Sequence, residues 1–285
     1  MEDVGEEVTW LSKGDLVVPT VRRPCLELCE NCSKGETDRC LSGRYSSHGI
    51  HGLHGFCSEF SVSDARFLVK VPQELADLGV LLEPLSVVEK AINESIAIQK
   101  TRRVKITRGL VIGAGPLGLL ATSLLTLMGI RTTTVAKREE SSLKAIIAKE
   151  LGAEYVNVRE RRLGDLGPFD FIIEASGSLA PVGEALDTLA PTAIMCVLGI
   201  FEVPQAHSGL GRRFRDIVRY NKVLLGSVSA NKTHFELGMQ HLHEIESRRP
   251  GVLGKMITST VQMEDFSKFF FQPDQEEIKS VIQIG

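Results

Sequence analysis

Val111-Ile112-Gly113-Ala114-Gly115-Pro116-Leu117-Gly118 is the end of an apolar run that passes into three glycines at G-x-G-x-x-G spacing. At that spacing the first glycine permits a tight strand-to-helix turn. The second lets backbone approach a pyrophosphate, and the third lets the helix pack closely on the strand. The helix that follows would present free N–H groups and a positive dipole end to the phosphates. The spacing alone is weak evidence, but here a strand-like run at 110–112 precedes it and a helical run at 117–128 follows. Gly113, Gly115 and Gly118, with Pro116 and Leu117 between them, are therefore expected to bind a dinucleotide. The same alternation continues outward: strands at 132–135, 169–174, 193–198 and 223–228, and helices at 142–151, 182–189 and 233–246. Alternating β and α segments imply a parallel sheet covered on both faces, a Rossmann doubly wound α/β fold. Leu198, which closes the buried run 193–198, is counted among the cofactor-binding residues.

An acid about twenty residues past the turn would select NAD by holding the ribose 2′-hydroxyl. After Thr132-Thr-Thr-Val135 the chain instead reads Ala136-Lys137-Arg138. Arg138 can grip a 2′-phosphate in a fork and Lys137 can neutralise it, so NADP is expected over NAD. The alternative is that Lys137, Arg138, Glu139 and Glu140 form a solvated charged turn.

Near the start, Cys25-Leu-Glu-Leu-Cys29-Glu-Asn-Cys32 and then Cys40 place four cysteines in sixteen residues. Such a quartet can close a tetrahedral zinc site within one loop. The chain has 285 residues, 43% hydrophobic and 24% charged, with a net charge of −3. These values suit a globular protein of roughly two domains and give no reason to expect nucleic acid or an anionic membrane as partner. Met1-Glu-Asp-Val-Gly-Glu-Glu lacks the regions of a signal peptide, and the apolar run 117–128 is too short to span a bilayer. A cytoplasmic location follows, and in a reducing compartment clustered cysteines are metal ligands rather than disulfides. Cys196, in an apolar run, is expected to be a buried thiol. Residues 1–85 read as β-structure, with strands beginning after Gly14 and at 56–62 and 67–71, and 73–95 as a helix. The end of the chain reads as a short helix at 264–270 and a strand at 280–284.

With these pieces placed, the chain closely resembles the archaeal-type glucose dehydrogenases of the zinc-containing medium-chain alcohol dehydrogenase superfamily. The resemblance rests on Gly14-Asp-Leu-Val-Val-Pro-Thr-Val-Arg-Arg23, the cysteine lobe, Gly52-Leu-His-Gly-Phe56 and Leu82-Glu-Pro-Leu-Ser-Val-Val-Glu-Lys90. It continues through the glycine turn, Glu174-Ala-Ser-Gly177 and Gly226-Ser-Val-Ser-Ala-Asn-Lys-Thr-His-Phe235. It implies a GroES-like catalytic domain at 1–95 with the structural zinc lobe at 25–40, a Rossmann domain at 96–232, and a segment at 233–285 returning to the first. It implies hydride transfer from the C1 hydroxyl of an aldose to NAD(P)+, giving a lactone, in a homodimer or homotetramer.

By the same resemblance Cys25, Cys29, Cys32 and Cys40 match the structural zinc ligands, with three residues in the first gap where the family has two. Glu83 matches a group at the catalytic zinc, Asn231 a residue near the nicotinamide ribose, and His54 a residue of the substrate loop. The family's other catalytic zinc ligands lie in a segment preceding this chain's Met1. The GroES-like domain is therefore expected to be N-terminally incomplete, and the chain to bind cofactor without turnover. The alternative function is a catalytically impaired NADP-binding protein that keeps only the structural zinc. His48, His51 and His54 are read as a loop rather than a metal site. His241 and His243 point to different faces of a helix and cannot chelate one ion.

Overall fold

The computed structural model describes residues 1–200, 213, 217–219, 221–267 and 276–284. The chain forms two compact units, Ala91–Ser227 and a unit made of Met1–Lys90 with Val228–Gly285. The divisions fall a few residues before those drawn from the sequence.

The unit of Ala91–Ser227 holds six strands: β6 (Arg108–Ile112), β7 (Arg131–Ala136), β8 (Glu154–Asn157), β9 (Phe169–Glu174), β10 (Leu189–Val197) and β11 (Val223–Gly226). All pair in parallel, in the order β11-β10-β9-β6-β7-β8. The chain runs outward from β6 to one edge, then returns to β9 and runs to the other. The strand order reverses between β6 and β9, where open parallel sheets bind ligands at their carboxyl ends. The strands are almost continuously apolar because helices cover both faces; Leu110, Val111, Phe171, Ile172, Ile194 and Met195 are fully buried. Cys196 is buried among them, as expected. The three threonines of β7 stay in this core because their hydroxyls are used. Thr134 Oγ1 lies 2.6 Å from Thr122 Oγ1 on α3 (Pro116–Leu127), and Thr132 donates to the Ile130 carbonyl. The helix α4 (Leu143–Glu150) is capped by Ser142, which accepts from the Ala145 N–H.

The other unit is built from short β pieces. β1 (Leu16–Pro19) pairs antiparallel with β5 (Leu68–Val71), β2 (Arg22–Arg23) antiparallel with β3 (Ser46–His48), β3 parallel with β4 (Gly52–Leu53), and β12 (Ile257–Gln262) parallel with β13 (Lys279–Gln283). Two local expectations are corrected. No strand forms at 56–62, where Ser58 donates its backbone N–H to the Phe56 carbonyl and its hydroxyl to the Phe60 carbonyl. Such local bonds compete with a ladder. The helix expected at 73–95 is two elements, a 3-10 stretch Gln73–Leu81 and then α2 (Leu82–Thr101). Pro84 explains the break: it fits the first turn of a helix, where its missing N–H has no intrahelical partner, but not an interior. The strands β8 and β12 lie where the sequence showed no strand pattern. Of the short helix expected at 264–270, residues 268–270 lie outside the described residues. No helix among the described residues is long and apolar enough to cross a membrane.

Candidate functional site

The glycine turn sits at the carboxyl end of β6. Gly113 has φ +105°, a backbone open to glycine, and a Cβ there would stand 3.1 Å from the Ser176 backbone. A Cβ on Gly118 would fall 1.9 Å from the Gly113 carbonyl oxygen, so strand and helix approach as closely as they do only because neither residue carries a side chain. Gly115, which precedes α3, would meet no atom within 4 Å and faces open space. The turn thus leaves a cradle at a helix N-terminus that a single methyl group would begin to fill, which is the shape a pyrophosphate requires.

Around the cradle lies a cavity of about 410 Å³ lined by Gly113, Ala114, Gly115, Lys137, Arg138, Lys144, Arg159, Ser176 and Ser178, with Ile112, Val135, Ala136, Val158 and Pro181 as its apolar lining. Among the described residues, four cations and no carboxylate line it. The Tyr155 hydroxyl donates to the Arg138 carbonyl at 2.8 Å and fixes the backbone at the end of β7. Burial pushes that phenol up, away from ionisation. Glu174, at the carboxyl end of β9, is fully buried; its Oε1 accepts from the Ser176 N–H at 2.7 Å, which orders the facing wall.

Of the residues expected at the cofactor, Gly113, Gly115, Lys137 and Arg138 line this one cavity. Pro116, Leu117 and Gly118 form the first turn of α3 below it, and Leu198 is buried with its N–H donating to the Glu174 carbonyl. Asn231 belongs to the other unit, where it caps the helix α6 (Lys232–Arg248). Its side chain accepts from the His234 N–H, and His234 Nδ1 accepts in return from the Asn231 N–H. Lys144, Arg159, Ser176 and Ser178 were not anticipated. Arg159 follows β8, itself unanticipated, so the sequence offered no frame in which to place it.

In the other unit the four sulfurs of Cys25, Cys29, Cys32 and Cys40 lie within 4.8 Å of one another. Tetrahedral coordination at a zinc–sulfur distance of about 2.3 Å sets sulfurs roughly 3.8 Å apart, and Cys29 and Cys40 are already at 3.9 Å. No disulfide joins them. The extra residue in the first gap is absorbed by Leu28, whose φ of 46° is left-handed, with the Leu28 N–H donating to the Cys25 carbonyl. The thiols differ: the Cys32 N–H holds Cys29 down to about 6, whereas burial pushes Cys32 up to about 12. Four thiols this close, Cys25 and Cys32 buried and Cys29 and Cys40 partly so, are a donor set that fits a zinc ion. Beneath the lobe, buried Asp38 pairs with buried Lys90 at 2.9 Å, and Lys90 also donates to the Val228 carbonyl.

Glu83 lies in the first turn of α2, where burial pushes its carboxyl above the ordinary range and Lys279 pulls it back in part. Among the described residues the cysteine quartet is the sole group of three or more potential metal ligands. Nothing gathers around Glu83 as a ligand set, so these residues do not fit a catalytic zinc. His48, His51 and His54 likewise do not converge. His48 stacks on Phe56 at 4.4 Å and its Nδ1 lies 2.8 Å from the His54 carbonyl oxygen. The His54 loop borders a cavity of about 590 Å³ with Phe56, Cys57 and Phe60. His241 pairs instead with buried Glu89, Nδ1 to Oε1 at 2.7 Å.

Two family models cover the chain: an alcohol dehydrogenase GroES-like domain over residues 1–73 and a glucose dehydrogenase C-terminus over 76–284. The expectation of an N-terminally incomplete domain is not supported by these matches. Glucose 1-dehydrogenase 1 of Caldivirga maquilingensis is 42% identical over 286 residues, spanning 100% of this chain and 79% of that protein. Glucose 1-dehydrogenase of Methanocella arvoryzae is 40% identical over 290 residues, 100% of this chain and 80% of that one. Among solved structures, Haloferax mediterranei glucose dehydrogenase in complex with NADP, Zn and gluconolactone superposes with a TM-score of 0.88 at 31% identity, covering 97% of this chain and 79% of that chain.

Proposed function

The chain belongs to the glucose dehydrogenase family, and on that premise we propose that it oxidises an aldose at C1 to a lactone with NADP+ as hydride acceptor. The observation that carries this best is the cavity at the glycine turn, where the described residues offer a dinucleotide four cations and no acid. An NAD site would set a carboxylate against the ribose 2′-hydroxyl. Gly113, Gly115 and the first turn of α3 would hold the pyrophosphate, and Lys137 and Arg138 the 2′-phosphate. The bound nicotinamide supplies the hydride chemistry. The chain's task is alignment, and the close packing at Gly118 makes that cradle rigid. Leu198 and Asn231 remain candidate contacts of the cofactor and His54 of the sugar. Glu83 is the candidate catalytic carboxylate.

The cysteine lobe would hold one structural zinc. Four uncrosslinked thiols so close together fit a reducing, cytoplasmic setting. Leu26, Leu28 and Leu41 are exposed on or beside that lobe, Leu26 entirely, which supports a homodimer or homotetramer that covers them.

The test is to follow NADPH formation with glucose, galactose and xylose while measuring NADP+ binding and oligomeric mass. NADP+ binding with lactone formed from at least one aldose is expected. Binding without turnover of any aldose would favour the catalytically impaired NADP-binding alternative, and NAD+ bound more tightly than NADP+ would refute the cofactor assignment.

A further inference from the structure

We propose that Arg159 is a specificity-determining residue, a second arm that closes on the 2′-phosphate of NADP from the neighbouring strand; this rests on the NADP reading above. In the register of the two edge strands, Ala136 stands opposite Asn157, and the Val158 N–H donates to the Ala136 carbonyl at 2.9 Å. Lys137-Arg138 and Val158-Arg159 therefore leave the sheet side by side, at the same end, and enter the same cavity. The turn that carries Arg159 is ordered from below. Buried Asn157 accepts the Arg159 N–H on its Oδ1 at 3.0 Å and donates its Nδ2 to Glu160 Oε1 at 2.8 Å. The second bond matters electrostatically, because it holds the neighbouring carboxylate on Asn157, and Glu160 is not part of the cavity lining. The guanidinium of Arg159 and the ammonium of Lys137 make no hydrogen bond or ion pair with other described residues. Both are solvated cations facing a space to which the described residues contribute no acid. A phosphate monoester brings nearly two negative charges and three acceptor oxygens, more than Arg138 alone can satisfy. Asn157 is then a positioning residue.

Adenosine 2′,5′-bisphosphate and adenosine 5′-monophosphate differ only in the 2′-phosphate and need no sugar, so calorimetry with both on the full chain isolates this contact from the rest of the reaction. In Arg159→Ala the bisphosphate should bind roughly tenfold more weakly while the monophosphate changes by less than about twofold. Arg159→Lys should recover part of the loss, and Asn157→Ala should reproduce part of it. Equal losses for both ligands would assign Arg159 to the part they share, the adenosine or its 5′-phosphate, and overturn the proposal, as would no loss at all. If the wild-type chain does not distinguish the two ligands, the NADP reading itself falls. If it does and Arg159→Ala retains that distinction in full, only the role of Arg159 falls.

Discussion

Replacing Gly118 and Gly115 separately by alanine separates packing from binding at one turn. At Gly118 the new Cβ would sit 1.9 Å from the Gly113 carbonyl oxygen and 2.8 Å from its carbon. Both are backbone atoms, so no side chain can rotate away. Ordinary contact begins near 3.4 Å, and reaching it requires the start of α3 and the end of β6 to part by roughly 1.5 Å, in a core whose strands are fully buried. Overpacking of that size costs about 3 kcal/mol. For a unit of this size that is a fall of roughly 6–12 °C in the midpoint of its thermal unfolding. At Gly115 the same methyl meets nothing and the backbone, at φ −80°, accepts alanine. Stability should stay within about 0.5 kcal/mol. The methyl would instead stand where the phosphates approach, so NADP+ affinity should fall at least about tenfold. Scanning calorimetry and NADP+ titration of both variants give the readout. A Gly118→Ala protein as stable as wild type would refute the packing argument, and a Gly115→Ala protein with wild-type affinity would refute the pyrophosphate cradle.

The cysteine lobe should carry about one zinc per chain by elemental analysis, lost in Cys32→Ser; stoichiometric zinc in the quadruple serine variant would exclude the site. Arg138→Ala should weaken NADP+ binding by about 1.5–3 kcal/mol and leave NAD+ nearly untouched, and equal losses for both cofactors would exclude a 2′-phosphate contact. Asp38→Ala would strand the ammonium of buried Lys90 and should destabilise its unit by about 3–5 kcal/mol, whereas a loss within about 0.5 kcal/mol in denaturant unfolding would show the pair to be hydrated. The hydrogen bond that His241 donates to the Glu89 carboxylate raises the pKa of His241. Stabilisation by this imidazolium is therefore full below its unfolded value of about 6.5 and fades as pH rises through the raised folded value. The stability difference between wild type and His241→Gln should shrink across that window, and one that stays flat from about pH 5.5 to 8.5 would rule out the linkage.

Much of this was legible in the chain before any coordinates. The glycine spacing, flanked by an apolar strand and a helical run, fixed the Rossmann unit, because only glycine at those positions permits the turn and the close approach now measured at Gly113 and Gly118. The cysteine quartet was legible for a similar reason: its ligands are close in sequence, so local geometry suffices to bring them together. Lys137 and Arg138 were found because their distance from the turn is set by one βαβ unit.

What the sequence could not give were the partners that meet only through pairing. Arg159 enters the cavity because β8 lies beside β7 in register, and β8 is too short to announce itself by pattern. Asp38 with Lys90, and Glu89 with His241, are 52 and 152 residues apart; the first pair is buried on both sides and the second sets buried Glu89 against a partly exposed imidazole. Nor did the residue pattern distinguish a strand at 56–62 from serine-bonded turns, or one helix at 73–95 from a 3-10 stretch that yields at Pro84. Short-range steric requirements are written residue by residue in a chain. Long-range electrostatic and register relations exist only once the sheet has closed, and in this protein they supply the further cation proposed to grip the cofactor and the buried pairs.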